Sequence, residues 1–284
     1  MYRATATTTI ASAEDERSSN AAHLSNHYAI ARDQYDSAIR SVEFQPGSRV
    51  LDAGCGGGDF LHPIADHIGP HGRISAIDIS KQNVDHLNER LERNPPPTSV
   101  EVRVGSVVDI PFEDDFFHYV WCANVAQYLT EEEFPLCIDE FRRVLRQGGQ
   151  IAVKDIDIME TTLRPLDAEF VMRLHAARKE RGMKSGRLGP WCGSSIADRL
   201  EQNRVQVIQR RKFVVEHRHP LTMNALHYLS RLLRYYSSIA AHYGVPSEDR
   251  NAWEILAAHP EQLLGLPTFR FSETFHLAVG IPIK

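Results

Sequence analysis

The stretch VLDAGCGGGDF, Val50 to Phe60, constrains this chain more than any other, because four of its residues between Gly54 and Gly58 are glycine. A strand that ends in a glycine-rich turn and opens a helix presents backbone N–H groups and a positive dipole end to a ligand. Glycine serves there because a Cβ would block close approach, and an ordinary strand-to-helix turn seldom needs so many. The neighbours narrow the ligand. A dinucleotide fingerprint needs its third glycine at position 59, where this chain has Asp59, and a triphosphate-cradling loop needs a Gly-Lys-Ser or Gly-Lys-Thr ending that is absent. Asp52, two residues before the first glycine, would repel a pyrophosphate and suit a cation. Asp78, about 20 residues beyond the loop at the end of a second strand, is well placed to bind the hydroxyls of a ribose. Together these features specify a nucleoside without a phosphate, bearing a cationic group.

The rest of the chain alternates. A helix is predicted from about Ser25, with Leu24, Tyr28, Ala31, Tyr35 and Ile39 on one face. SRVLDAG, RISAIDIS, SVEVRVGSV, HYVWCANV and QIAVKDIDI read as strands with helices between them. Ser80 caps one helix, and Thr130 with Glu133 forms the capping box of another whose stripe is Phe134, Ile138, Phe141 and Leu145 and whose end is Gly148. Strand and helix in this rhythm give a doubly wound α/β domain with a mostly parallel sheet.

After Glu160 the pattern loosens into a helix from Asp167 to Arg181, a GRLGPWCGS loop, a helix at Ser195 to Gln202 and the strand VQVIQRRKFVVEH. A helical insertion follows from Leu221 to about Leu264, then a last strand, SETFHLAVGIPI. The insertion carries two apolar stripes, one of Leu226, Leu229, Leu233, Tyr236 and Ala240, the other of Tyr228, Leu232, Tyr235 and Ile239. A surface helix needs one, so this helix is expected to contact something besides the sheet: an apolar pocket or a second subunit. Residues 1–20 are small and polar without periodicity, and are read as a tail that is disordered or ordered by a partner.

Composition excludes some classes. Of 284 residues 42% are hydrophobic and 24% charged, with a net charge of −5, so no polyanion is expected as partner. No apolar run reaches membrane-span length and no signal-peptide core is visible, which points to the cytoplasm. Cys55, Cys122, Cys137 and Cys192 lack the paired spacing of zinc sites or disulfide scaffolds, so no metal is expected.

VLDAGCGGGDF, AIDIS, GSVVDIPFEDDFFHYVWCANVAQYL and EFRRVLRQGGQIAV resemble the ordered motifs of class I S-adenosylmethionine-dependent methyltransferases, from about Val50 to Val153. Within these the chain most resembles the small-molecule group of ubiquinone/menaquinone-biosynthesis and natural-product enzymes. The resemblance implies a Rossmann-like, seven-stranded, mostly parallel sheet whose last strand is antiparallel, with S-adenosylmethionine as cofactor and S-adenosylhomocysteine as product. The expected organisation is a helical lid at 21–45 and a methyltransferase domain at 46–284, with helical substrate-cap insertions at about 160–192 and 221–268.

Carried over residue by residue, the resemblance puts Asp52, Gly54 and Gly56 along the methionine part, Asp78 on the ribose, and Ile79, Ser106 and Val107 around the adenine. Asn124 would meet the methionine amino group, and Tyr28 and Arg32 on the first helix the carboxylate end. Ser106 is a departure, since the family often has Asp there, so a hydroxyl or a backbone carbonyl is left to hold the adenine amino group.

Acceptors in such folds sit above the carboxyl ends of strands four and five. That makes Gln127, Tyr128, Asp155, Asp157 and Glu160 candidates, joined by Trp191, Tyr228 and Tyr235 as pocket wall. Alternation along KDIDIM puts Lys154 and Asp155 on opposite faces. Asp155, Asp157, Tyr128 and His175 are the candidate acid–base groups, with His27 and His227 behind them; an activated carbon or a phenolate needs no base at all. The expected function is methyl transfer to carbon or oxygen of a bulky apolar metabolite such as a terpenoid, polyketide or aromatic compound. The alternatives are a silent cofactor-binding or regulatory protein of the same fold and a cyclase that uses the bound sulfonium electrostatically. The first helix and the 221–243 helix are the candidate surfaces for a homo-oligomer.

Overall fold

The computed structural model describes residues 21–283, and the tail expected at 1–20 lies outside them. Five strands, β1 (Arg49–Ala53), β2 (Arg73–Asp78), β3 (Ser99–Val104), β4 (Phe117–Ala123) and β5 (Leu145–Ile156), lie parallel in the order β3-β2-β1-β4-β5. The last strand, β8 (Arg270–Pro282), runs antiparallel beside β5, as the resemblance implies. β7 (Val205–Arg218) then pairs with β8 along the whole of its length. An eighth strand was not foreseen: the three-residue β6 (Thr162–Arg164) pairs with Arg270 to Ser272 and prolongs the β5 side of β8. β1 lies between β2 and β4, and ligands of doubly wound sheets bind where the strand order reverses in this way.

Helices cover both faces. α1 (Ala21–Ser41) starts four residues before Ser25 and buries Tyr28, Ala31, Tyr35, Ala38 and Ile39 against one face of the sheet, with α2 (Leu61–Ile68) and α3 (Lys81–Arg93). The Ser80 hydroxyl accepts from Asn83 N at the start of α3. α4 (Glu133–Val144) packs on the other face, and its predicted capping box is reciprocal: Thr130 N donates to Glu133 and Glu133 N donates to the Thr130 hydroxyl. That helix ends at Val144, before Gly148, because β5 already takes Leu145 as the partner of Phe117.

The C-terminal insertion is three helices where one long stretch was read, α7 (Met223–His242), α8 (Ser247–Ala258) and α9 (Pro260–Leu264), after α5 (Ala168–Met183) and α6 (Ile196–Gln202). Gly244 and Pro246 break the run between α7 and α8. The double stripe of α7 is used inside the chain. Leu229, Leu233 and Ala240 pack in a core shared with Leu174 of α5 and Trp253 of α8, while Tyr228, Leu232 and Tyr235 turn to a pocket beside α1.

Candidate active site

The glycine loop is stitched to the neighbouring strand. Gly54 N and Cys55 N both donate to Ile77 O at 2.8 Å, and Gly56 N donates to Asp78 Oδ2 at 2.8 Å. Gly54 and Gly56 have φ of 83° and 51°, so the left-handed turn itself requires glycine. The loop is also tight: a Cβ on Gly54 would stand 2.2 Å from Val125 Cγ2, and one on Gly56 2.6 Å from Leu24 Cδ1. The Asp78 carboxylate further accepts from Ser80 N and Asn83 Nδ2, so its direction at the sheet edge is fixed. Burial raises its pKa, and those three hydrogen bonds pull the other way.

Asp52 is the exception to this economy. It is fully buried, and among the described residues neither carboxylate oxygen has a hydrogen-bond partner. Burial, with Asp78 and Asp59 nearby, pushes its pKa up to about 8. A buried carboxylate without a donor is costly, and a cationic or N–H-bearing ligand group at the loop would relieve that cost. Asp59, which breaks the dinucleotide pattern, is spent on structure. It accepts from Ser25 Oγ of α1 and from Arg90 at 2.6 Å, tying the first helix and α3 to the loop.

The other cofactor candidates flank this loop. Ile79 is 64% exposed directly after Asp78; Val107 is buried, and the Ser106 hydroxyl accepts from Val108 N. Tyr28 is buried against Tyr35 and Phe60, its hydroxyl donating to Asp36, while Arg32 is exposed with its guanidinium 6.0 Å from the Tyr28 ring. Asn124 has a φ of 59° and turns the chain after β4; its Oδ1 accepts from Lys154 Nζ at 2.6 Å.

A pocket opens beside the loop. Leu24 and His27 of α1, Asn124, Gln127 and Tyr128 after β4, and Tyr228, Tyr235 and Tyr236 of α7 line it, with Glu273 of β8. Four of the acceptor-side candidates, Gln127, Tyr128, Tyr228 and Tyr235, are therefore brought together. Others are not. The Asp155 side chain is fully buried and accepts from Gln127 N and Ile156 N, which holds the turn after β4. Asp157 accepts from Met159 N and from the Ser194 hydroxyl at 2.5 Å. Trp191 is wedged against Gly182 and Gly189, where any Cβ would meet its ring within 2.3 Å. His175 is buried on α5 edge-on to Tyr236, neither nitrogen has a hydrogen-bond partner among the described residues, and burial drives its pKa down to about 3. Glu160 pairs with Lys212 and His276. His227 is exposed and does not line the pocket.

Two pocket-side residues escaped the sequence reading. Lys154 is fully buried, its Nζ 4.4 Å from the ring centroids of both Tyr35 and Phe275, and burial lowers its pKa while the nearby Asp155 and Glu273 oppose that shift. Glu273 is also buried, and His27 Nε2 lies 2.5 Å from its Oε1. The available signal was one acid at the head of the stripe Glu273, Phe275, Leu277 and Val279 in an otherwise apolar last strand.

Residues 50–149 match the protein family described as a methyltransferase domain. An uncharacterized 37.1 kDa protein in transposon TN4556 of Streptomyces fradiae is 32% identical over 139 residues, 49% of this chain and 39% of that protein. A demethylmenaquinone methyltransferase of Bacillus subtilis is 31% identical over 120 residues, 41% of this chain and 48% of the relative. The matches thus span less than half the length of these curated relatives. Among solved structures, the YcgJ protein from Bacillus subtilis superposes with a TM-score of 0.53 at 18% identity, covering 91% of this chain and 99% of that one, which establishes a shared fold.

Proposed function

We propose that the chain is a class I S-adenosylmethionine-dependent methyltransferase that methylates a small, bulky and largely apolar metabolite of terpenoid, polyketide or aromatic type. The observation that carries the reading is the buried, donorless Asp52 beneath a glycine cradle that adjoins an aromatic-walled pocket. Such a seat suits a donor bearing an ammonium and a sulfonium, and the pocket suits the acceptor.

In this reading Asp52, Gly54 and Gly56 hold the methionine part with Asn124, Asp78 takes the ribose hydroxyls, and Ile79, Ser106 and Val107 border the adenine. Tyr28 and Arg32 stand at the carboxylate end. When bound, S-adenosylmethionine supplies an electrophilic methyl on a good leaving group. The chain then has to align an acceptor and exclude water. α1 serves both ends: Leu24 approaches Gly56 and lines the pocket, and Ser25 is hydrogen-bonded to Asp59.

The test is calorimetric titration of the full chain with S-adenosylmethionine and S-adenosylhomocysteine, followed by transfer of labelled methyl to a metabolite extract. Micromolar binding of both, weakened at least tenfold in Asp78→Ala, and label in an apolar product are expected. Absence of binding, or an affinity indifferent to Asp78→Ala, defeats the reading; binding without transfer leaves a cofactor-binding protein.

A further inference from the structure

Four side chains from three elements form one continuous hydrogen-bonded chain behind the pocket. Lys154 Nζ of β5 donates to Tyr35 Oη of α1 at 3.0 Å and Tyr35 Oη meets His27 Nδ1 at 2.8 Å; on the far side of the imidazole, His27 Nε2 meets Glu273 Oε1 of β8 at 2.5 Å. The donor inventory orients it. Lysine can only donate, so the Tyr35 hydroxyl donates its hydrogen bond to Nδ1, and Nε2–H points at the carboxylate. Every bond then runs toward Glu273, with an ammonium at one end and a carboxylate at the other.

We propose that Glu273 is the proton acceptor for methyl transfer to a protic atom, a hydroxyl or amine of the acceptor, with His27 as its positioning residue. This rests on the methyltransferase reading. Both nitrogens of His27 are engaged in the chain, Asp155 and Asp157 are spent on backbone and Ser194, and His175 does not line the pocket. Glu273 does line it and has a second oxygen, Oε2, that the chain does not use. Burial pushes its pKa up, but the hydrogen bond from His27 Nε2 and the nearby Lys154 hold it below the usual glutamate value. A carboxylate is a weak base toward a resting alcohol, but an alcohol acidifies steeply as its oxygen bonds to carbon, so a positioned weak base is sufficient.

The step balances. The acceptor O–H bond breaks and its proton passes to Glu273 Oε2; the O–C bond to the methyl forms; the C–S bond breaks with its pair remaining on sulfur. A sulfonium cation, an alcohol and a carboxylate become a neutral thioether, a methyl ether and a carboxylic acid, and the acid returns its proton to solvent as product leaves. An N–H acceptor follows the same balance.

The experiment uses the full chain with methyl-labelled S-adenosylmethionine and two sets of probes, naphthols of graded acidity and alkenes of matching size without O–H or N–H. Calorimetry with S-adenosylhomocysteine is run beside it on every variant. The expected result is transfer to naphthols, a 10²- to 10⁴-fold fall in kcat in Glu273→Gln with S-adenosylhomocysteine affinity changed less than threefold, and partial recovery in Glu273→Asp. The loss should shrink as the naphthol becomes more acidic. His27→Asn removes the Nε2–H donor from a carboxylate otherwise faced by Lys154, His217, Tyr35, Tyr228 and Tyr236, so the acid limb of the kcat/KM profile should move to higher pH. Retained turnover in Glu273→Gln, a loss independent of acceptor acidity, or transfer to alkenes only would overturn the proposal. So would binding of S-adenosylhomocysteine with no transfer to any naphthol. If that compound does not bind the unaltered chain, the methyltransferase reading itself fails.

Discussion

His27 and Glu273 stand 246 positions apart in the chain and meet at 2.5 Å, Nε2 to Oε1, joining the first helix to the last strand. Both side chains are largely buried, at 13% and 6% exposure, so solvent screens the pair little. Breaking a buried pair leaves an uncompensated charge, at a cost of several kcal/mol. His27→Ala is therefore expected to destabilise the fold by about 3 kcal/mol, a loss of roughly 6–12 °C in Tm for a domain of this size. Differential scanning calorimetry checks it; an unchanged Tm would mean that the pair contributes nothing.

Glycine 54 makes a sharper demand than its neighbours. Its φ of 83° disfavours any side chain, and the Cβ of alanine would press on Val125 Cγ2 at 2.2 Å. Gly54→Ala should cost about 2 kcal/mol of stability and weaken S-adenosylhomocysteine by at least tenfold, whereas Gly148→Ala, with φ of 75° but open space around it, should lose stability without touching affinity. Parallel thermal melts and titrations separate the two, and equal affinity losses would refute the cradle.

The contrast between Asp52 and Glu273 shows what a sequence displays and what it hides. Asp52 and Asp78 were legible because a strand, a turn and a strand fix them at short range, and the five alternating strands and their helices followed from periodicity and from capping at Ser80 and Thr130, whereas their lateral order β3-β2-β1-β4-β5 comes from the structure. Glu273 was not, since its meaning depends on α1 crossing the sheet to bring His27 and Tyr35 over β5 and β8. Alternation placed Lys154 and Asp155 on opposite faces but could not say which backbone donors each would meet, so Asp155, an acid–base candidate in the sequence, is instead a buried anchor for Gln127 N. The second stripe of α7 was visible and its alternatives were pocket or partner; Tyr228 and Tyr235 line the pocket.

A second pH effect comes from Asp52. Burial raises its pKa from 3.8 to about 8, so the folded apoprotein binds a proton there that the unfolded chain has lost. The sign follows: this group adds no penalty below pH 3.8, and its penalty grows as pH rises toward 8, where it is complete. Asp52→Asn should therefore make the apoprotein more stable than the parent at pH 8, and the gap should close by pH 4. Ligand binding runs the other way. A cationic donor beside the carboxylate favours its ionised form, so S-adenosylmethionine should bind more tightly as pH rises from 6 to 8, with proton release on binding. Titration in two buffers of different ionisation enthalpy measures that release. In Asp52→Asn both the release and the pH dependence should vanish, and affinity at pH 8 should fall at least tenfold; a variant that keeps them would remove Asp52 from the donor site.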